Sequence, residues 1–296
     1  MKGNTGKGYL FAILSAIIYG SMPLMAKYIY ADGVNPLTLV FLRNTFSLLP
    51  LSLLAYRQKK TLKIPIKQVP LICLIAVLGC SFTPILLFNS YQYIESGTAT
   101  VFHFVYPAIV VIAEIFFSKK KTPVGNIFSV LICVLGISLF YSPQQTPNLT
   151  GSILALSSGL TFAIYVVLLS HFDNSAVSGF LFSFYVILAS SACTFLICLA
   201  TNSFAFPSSL LGWGLCILFS LLVTTCAVVL FQQSAFYIGS ERTSILSTLE
   251  PITSIVIGIV ILGEPLGVRT LIGSVLVVSA SLLIAFFDLK TAAKKA

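Results

Sequence analysis

The segment 90–110, SYQYIESGTATVFHFVYPAIV, has a counterpart 144 positions later at 234–254, SAFYIGSERTSILSTLEPITS. Both segments carry Tyr-Ile near their start and a proline near their end, which is Pro107 in the first and Pro251 in the second. A recurrence at a constant offset indicates an internal repeat. We therefore expect the chain to consist of two similar halves.

The composition indicates which solvent surrounds these halves. Of the 296 residues, 57% are hydrophobic and 8% are charged, and the mean hydropathy is +1.02. Soluble domains carry about 25% charged residues, so lipid rather than water must cover most of this surface. The composition excludes a secreted disulfide scaffold, a disordered chain and a cytosolic enzyme, and it predicts a polytopic membrane protein.

Ten apolar stretches are long enough to cross a bilayer, because a helix needs about 20 residues to span about 30 Å of hydrocarbon. They are 9–29, 36–56, 70–90, 98–117, 123–141, 151–170, 177–200, 210–231, 244–262 and 267–287. We expect an all-α polytopic membrane protein with ten transmembrane helices. The first five-helix repeat would cover residues 8–141 and the second residues 151–287.

The distribution of cations predicts the orientation in the membrane. With the N-terminus inside, most of the 17 Lys and Arg residues fall in cytoplasmic loops, as the positive-inside rule requires. Both termini would then be cytoplasmic in a multi-pass protein of the cell membrane. The formal net charge of +9 is read as a topology signal and not as a sign of nucleic-acid binding.

An odd number of spans in each half has a geometric consequence. A half of five spans that starts inside must end outside, so its copy enters the membrane upside down. Two inverted repeats around a central cavity are typical of alternating-access transporters. Small residues at steps of four, Ala12, Ala16 and Gly20, recur in the sixth span as Ala155, Gly159 and Ala163, which favours close approach between helices.

Several motifs also resemble a known family. They are Leu-Glu-Pro-Ile-Thr at 249–253, Leu-Gly-Glu-Pro-Leu at 262–266, Tyr19-Gly20 followed by Lys27, and Leu42-Arg43. In these motifs the chain resembles the EamA-type carriers of the drug/metabolite transporter superfamily. The resemblance implies ten helices in two inverted repeats, cytoplasmic termini, a central substrate cavity and export of small metabolites such as amino acids.

The resemblance is not uniform along the chain. Tyr106 stands in the first repeat where the second has Glu250, and Ser118 to Lys121 stand where the family shows a Gly-Glu pair. The fold therefore carries over more directly than a pair of equivalent half-sites.

Ionisable groups at membrane depth are costly, so each is a candidate functional group. Arg43 lies roughly 10 Å below the outer surface, where its planar fork either clamps a substrate carboxylate or pairs structurally with an acid or with carbonyls. Glu250 directly precedes Pro251, and burial favours the neutral form of a carboxyl group. Glu250 thus either binds a proton or a substrate amine, or acts as a charge partner between helices.

The other candidates for substrate binding or coupling are Tyr19, Lys27, His103 and Tyr106. Lys27 lies near the outer end of the first span, where it either faces the site or snorkels to the headgroups. His103 is either a hydrogen-bonded helix contact or a proton relay. Pro107 and Pro251 occupy corresponding positions and predict kinks in the fourth and ninth spans.

No enzyme-like cluster accompanies these groups in the sequence. The seven cysteines all lie within spans and show no C-x-x-C spacing, which predicts buried hydrophobes and no metal site. We expect no catalytic residues, no cofactor and no direct drive by ATP. The predicted function is a secondary active or facilitative transporter of a small metabolite, with proton coupling and oligomeric state left open. The alternatives are an intramembrane enzyme and a membrane scaffold that does not transport.

Overall fold

The computed structural model describes residues 5–59, 63–110, 124–139, 148–170, 172, 177, 179–239, 242–243, 246–263 and 267–293. The secondary structure of these residues is helical, with no strand among them. This agrees with the predicted all-α class.

The first half contains the helical elements α1 to α5. α1 consists of Thr5–Gly20 and Met22–Ala31, and α2 is Pro36–Lys59. α3 starts with a 3₁₀ turn at Ile66–Gln68, continues as Val69–Ile75, widens into a π-helix at Ala76–Phe82 and ends as Thr83–Ser90. α4 is Ser96–His103 and α5 is Val124–Ser138.

The second half contains α6 to α10. α6 is Leu149–Ser170 and α7 is Gly179–Ala200. α8 begins as Leu210–Phe219, widens into a π-helix at Ser220–Val228 and ends as Val229–Ile238. α9 is Leu249–Val260 and α10 is Val268–Ala293.

Six helices in the described part of the chain are long and apolar enough to cross a membrane, namely α1, α2, α3, α6, α7 and α8. α9 and the segment Leu271–Ala280 of α10 are shorter apolar helices. The predicted fourth span, 98–117, and fifth span, 123–141, lie partly outside the described residues.

Two helices differ from their predicted form. The first span, predicted as one helix over 9–29, is interrupted at Ser21, because Pro23 cannot donate a backbone hydrogen bond to the preceding turn. α8 extends to Ile238, beyond the predicted end at 231. Its polar residues Gln232 and Ser234 are fully buried against protein, so they do not mark the end of the helix.

The two π-helices begin 144 residues apart, at Ala76 in α3 and at Ser220 in α8. A π-helix is rare and shifts backbone hydrogen bonds from i→i−4 to i→i−5, often near functional sites. The same uncommon backbone feature therefore recurs at the offset of the sequence repeat.

α2 packs against α7 in the antiparallel sense. Thr45 Oγ1 lies 2.8 Å from Ser191 Oγ, whereas Thr38 Oγ1, near the start of α2, donates to the carbonyl of Ser203 just after the end of α7 at 3.1 Å. Residue numbers rise along α2 as they fall along α7, so these corresponding helices of the two halves run in opposite directions.

α5 and α10 also pack against each other in the antiparallel sense. A Cβ atom at Gly136 would lie 2.9 Å from the carbonyl oxygen of Gly273, whereas Gly125, one end of α5, faces the ring of Phe287 near the other end of α10. Absence of a side chain at Gly136 lets the two backbones come this close. These helices therefore also run antiparallel.

The remaining contacts follow the repeat as well. α1 packs against α8 and α9, and its counterpart α6 packs against α3 and α4. The small residues predicted to line close contacts are buried on both helices: Ala12, Ala16, Gly20, Ala155, Gly159 and Ala163. A Cβ at Gly20 would lie 2.5 Å from Cβ of Thr253, and one at Gly159 would lie 2.6 Å from the carbonyl oxygen of His103.

The connections α1–α2 and α7–α8 are joined by hydrogen bonds. Ser208 Oγ donates to Asp32 Oδ1 at 3.0 Å, and the Ser209 backbone N–H donates to Asp32 Oδ2 at 3.1 Å. Asn35 Nδ2 donates to the carbonyl of Ser203 at 2.6 Å. We call these contacts of Asp32 and Asn35 with residues 203–209 the outer clasp, after the predicted orientation.

Candidate functional site

A cavity lies where α1, α2, α3, α4, α6, α8 and α9 meet, with about 500 Å³ of empty space that includes volume open to solvent. Four of the six residues predicted to bind substrate or to couple line it: Tyr19, Arg43, His103 and Glu250. The rest of the wall is mostly apolar and aromatic, formed by Met22, Leu87, Phe88, Phe162, Tyr165 and Val228. Charged groups from opposite halves thus share one largely apolar chamber.

The other two predicted residues do not line this cavity. Lys27 is half-buried in the second part of α1. Tyr106 is fully buried and packs edge-on against Phe162, with ring centroids 4.8 Å apart. Tyr106 therefore supports the aromatic wall from behind.

Arg43 is held by groups of α3. Its side chain is 3% exposed, its Nη2 donates to the carbonyl of Cys80 at 3.3 Å, and its Cζ lies 5.6 Å from the centroid of the Phe88 ring. Its Nε has no hydrogen-bond partner, and it forms no ion pair with the described residues. The guanidinium is thus fixed at one side and keeps unused donors for a ligand.

Glu250 lies in the first turn of α9 and is 6% exposed. The backbone of α1 is close to it, because a Cβ at Gly20 would lie 2.7 Å from the carbonyl oxygen of Glu250. Its carboxylate has no hydrogen bond or ion pair with any residue that the structure describes. A buried carboxylate costs a great deal of free energy unless it is paired or protonated, so Glu250 is suited to bind a proton or a cationic ligand group.

His103 ends α4 and contacts α6. Its Nδ1 lies 2.9 Å from Ser158 Oγ, which itself donates to the carbonyl of Ala155 at 2.6 Å. A serine hydroxyl has one proton, so the network assigns the proton of this pair to His103 Nδ1 and leaves Nε2 as an acceptor. The ring is therefore oriented by a helix contact and keeps one acceptor nitrogen.

The aromatic wall is continuous between α4, α6 and α8. The ring of Phe162 lies 5.1 Å from His103, 5.2 Å from Tyr165 and 5.6 Å from Phe231 between centroids. Gln232 Nε2 donates to Tyr165 Oη at 3.4 Å, so the hydroxyl proton of Tyr165 stays available as a donor. This wall suits a ligand with an apolar body and a few polar atoms.

Both repeat prolines follow an interruption of the helix. The α-helical pattern breaks at Phe104 and Val105, before Pro107, and at Ser247 and Thr248, before Pro251. Proline removes one backbone donor and clashes with the carbonyl four residues earlier. Charged or polar cavity residues, His103 and Glu250, lie at these two breaks.

The sequence reasoning missed the contribution of α3. This helix supplies six lining residues: Gly79, Cys80, Thr83, Pro84, Leu87 and Phe88. Pro84 and Gly79 inside an apolar span are the signal that was available, since both weaken regular helix. Among the residues searched, no group of three or more His, Cys, Asp or Glu side chains is placed to hold a metal ion.

Comparison with protein families decides what kind of protein has this cavity. The model of the EamA-like transporter family matches the chain twice, over residues 6–142 and 149–286. The chain belongs to the EamA-like transporter family. The resemblance drawn from the sequence motifs is therefore confirmed, and the protein is a multi-pass membrane transporter with a bilayer around it and a small-molecule substrate.

Relatives of this EamA-like transporter match over nearly their whole length. An "Uncharacterized transporter" of Clostridium kluyveri is 22% identical over 289 residues, which is 94% of this chain and 92% of the relative. The "Uncharacterized transporter YcbK" of Bacillus subtilis is 23% identical over 90% of this chain and 88% of its own. The "Uncharacterized inner membrane transporter YicL" of Salmonella typhimurium is 23% identical over 95% and 96%.

A solved crystal structure has the same fold. It superposes with a TM-score of 0.69 at 15% identity and covers 94% of this chain and 96% of its own. At this identity the likeness concerns the fold alone.

Proposed function

We propose that this EamA-like transporter is a secondary carrier that exports a small zwitterion with an apolar side group, such as an amino acid, by alternating access. The observation that carries the proposal is that a cation, Arg43, and an acid, Glu250, line one apolar cavity, and neither forms an ion pair within the part of the chain that the structure describes. Arg43 would bind the carboxylate and Glu250 the ammonium group. The apolar side group would lie against Phe88, Phe162 and Tyr165.

The composition of the cavity supports this substrate class. Small-molecule sites are mostly apolar with a few placed polar groups, and the wall of this cavity has that composition. Residual unpaired charge favours a ligand that supplies both an anion and a cation, because each buried charge then gains a partner. A neutral sugar would leave both charges unpaired.

Antiparallel packing of corresponding helices supports the proposed architecture of two inverted five-helix halves, 8–141 and 151–287, with ten spans in all. α2 pairs with α7 and α5 with α10 in opposite directions, and the π-helices of α3 and α8 recur at the repeat offset. Inverted halves that rock about a site near the midplane are the basis of alternating access. Under this proposal both termini are cytoplasmic and the protein acts in the cell membrane.

The helix breaks before Pro107 and Pro251 support a role in this motion. Each break lies beside a cavity residue and lacks one backbone hydrogen bond, so bending there costs less than in a regular helix. Glu250 would also couple transport to protons, since it can exchange a proton for a substrate amine. Lys27, outside the cavity, would anchor α1 at the outer headgroups.

The proposal is tested with the purified chain in proteoliposomes. Uptake of radiolabelled L-leucine is measured in competition with 4-methylpentanoate, which keeps only the carboxylate, and with isopentylamine, which keeps only the ammonium. We expect L-leucine to be taken up. Each single-charge analogue should inhibit this uptake at least about 10-fold more weakly than unlabelled L-leucine does, since each analogue lacks one charged hydrogen-bonded contact. Absence of L-leucine uptake, or inhibition of that uptake by both single-charge analogues as strong as inhibition by unlabelled L-leucine, would refute the proposal.

A further inference from the structure

Pro84 lies in the last part of α3 and lines the cavity, but it carries no group that a zwitterion would need. Its effect on the backbone is specific. Because proline has no N–H, the carbonyl of Cys80 four residues earlier loses its α-helical donor, and the ring of the proline pushes that carbonyl away from the helix axis. The π-helix Ala76–Phe82 ends at the same place.

The freed carbonyl of Cys80 is used by α2. Arg43 Nη2 and Asn44 Nδ2 both donate to it at 3.3 Å, which uses its two lone pairs. Asn44 Nδ2 also donates to Ser190 Oγ of α7 at 2.8 Å. Arg43, Asn44, Cys80 and Ser190 are all buried.

One turn after Pro84, Phe88 contributes the second contact of Arg43. Its ring lies 5.6 Å from the guanidinium carbon, and a cation near an aromatic face is stabilised by the ring quadrupole. Together the carbonyl and the ring hold one side of the guanidinium, and Nε has no hydrogen-bond partner among the residues that the structure describes.

The second half lacks this arrangement. Val228 stands 144 positions after Pro84 and has a backbone N–H, and α7 contains no Lys or Arg. A cation and a proline on the facing helix thus occur together in one half and are both missing from the other.

We infer that Pro84 is a positioning residue for the carboxylate end of the substrate. Because Pro84 has no N–H, the Cys80 carbonyl is free to accept a hydrogen bond from Arg43, and this bond holds Arg43 beside Phe88. This inference rests on the proposed function, because it assumes that Arg43 binds a carboxylate. A residue with an N–H at position 84 would donate to the Cys80 carbonyl within the helix. Arg43 would then lose its hydrogen bond to that carbonyl.

The test compares Pro84→Ala and Pro84→Val with the unchanged protein in proteoliposomes. Inhibition of L-leucine uptake is measured with 4-methylpentanoate and with isopentylamine. In both variants we expect the inhibition constant of 4-methylpentanoate to rise about 10-fold, as for loss of one charged hydrogen bond. The inhibition constant of isopentylamine should stay within about two-fold of the wild-type value, since Glu250 lies on α9 and does not contact the Cys80 carbonyl.

A matched control accompanies these variants. Pro50→Ala removes a proline inside α2 that does not line the cavity. It should not alter the ratio of the two inhibition constants. Size-exclusion chromatography and thermal melting report whether each variant is folded.

Each result has a defined meaning. Unchanged inhibition by both analogues, or equal weakening of both, in a folded Pro84 variant would overturn the inference while leaving the proposed function intact. Loss of folding in both Pro84 variants, with Pro50→Ala intact, would make Pro84 a folding residue and also overturn it. If the wild type does not take up L-leucine, the proposed function itself fails.

Discussion

The two halves of the molecule have similar helix breaks and helix packing, but they line the cavity with different side chains. α4 breaks before Tyr106-Pro107, where Tyr106 packs behind Phe162, whereas α9 begins just after the corresponding break, with Glu250-Pro251 in its first turn and Glu250 lining the cavity. α2 brings Arg43, whereas α7 brings no charged residue. The two halves thus resemble each other in where the helices bend and pack, but they differ in the ionisable side chains that line the cavity.

This division has a consequence for binding. A substrate with a negative and a positive end has one preferred orientation when the cation comes from one half and the acid from the other. Substitutions in the two halves should therefore have different effects on the two single-charge analogues.

Removing the cation from the first half should have the largest effect. Arg43→Gln should weaken inhibition of L-leucine uptake by 4-methylpentanoate about 100-fold, since truncating one side of a buried charge interaction costs 2 kcal/mol or more. Inhibition by isopentylamine should change little. Lys27→Gln is the matched control, because it removes a cation that lies outside the cavity, and it should leave both constants unchanged.

Removing the acid from the second half should have the opposite selectivity. Glu250→Gln should weaken inhibition by isopentylamine about 10-fold through loss of one charged hydrogen bond, and 4-methylpentanoate should be affected less. If Glu250 also carries the coupling proton, the variant should lose the pH dependence of uptake while remaining folded. A full pH dependence in folded Glu250→Gln would contradict the coupling role.

Substitution of corresponding glycines in the two halves should lower the melting temperature in both cases. Gly20→Val and Gly159→Val each place side-chain atoms against a neighbouring helix, and overpacking of this kind costs about 1–3 kcal/mol. Both variants should melt at a lower temperature than the wild type. Gly214→Val is the control, because nothing lies within 4 Å of a Cβ at that position; equal melting of all three variants would argue against close packing at the repeat glycines.

The outer clasp should have the smallest effect. Hydrogen bonds from Ser209, and then from Ser208, lower the pKa of Asp32. A carboxyl group with a lowered pKa in the folded state stabilises the fold above its unfolded pKa of about 3.9, and this contribution is lost as the pH falls through the folded pKa. The melting temperature should therefore be slightly higher for wild type than for Asp32→Ala at pH 7, and the gap should shrink below about pH 4. A constant gap at all pH values would show that the charge of Asp32 is not involved.

Much of the fold was predictable from the sequence, because long apolar stretches and lipid leave few choices of secondary structure. The boundaries of α2, α6 and α7 lie within three residues of their predicted limits. Pro23 inside the first span predicts a kink, and α1 is interrupted nearby at Ser21; the π-helices of α3 and α8 were not predicted. Apolar composition does not distinguish an α-helix from a π-helix, and Pro23 alone does not reveal where the chain breaks.

The residues of the candidate site that could be predicted from the sequence are mainly ionisable side chains inside predicted spans. Arg43, Glu250 and His103 were singled out because ionisable groups are expensive at membrane depth, and Tyr19 because Tyr19-Gly20 resembles a family motif. All four line the cavity. The role of α3 was missed because its contribution is a backbone carbonyl and apolar side chains. Tyr106 was assigned to the cavity although it packs behind it, since helical periodicity does not separate a wall from its support.

The central claim is that two oppositely inserted halves enclose this cavity, and one labelling measurement tests it directly. Ile66 and Leu210 are 144 residues apart, begin α3 and α8, and are 83% and 90% exposed. Each is replaced singly by cysteine in a variant without native cysteines, and intact cells are treated with a membrane-impermeant maleimide. The account predicts labelling of Leu210→Cys in intact cells and of Ile66→Cys only after permeabilisation. Labelling of both from the same side would contradict it.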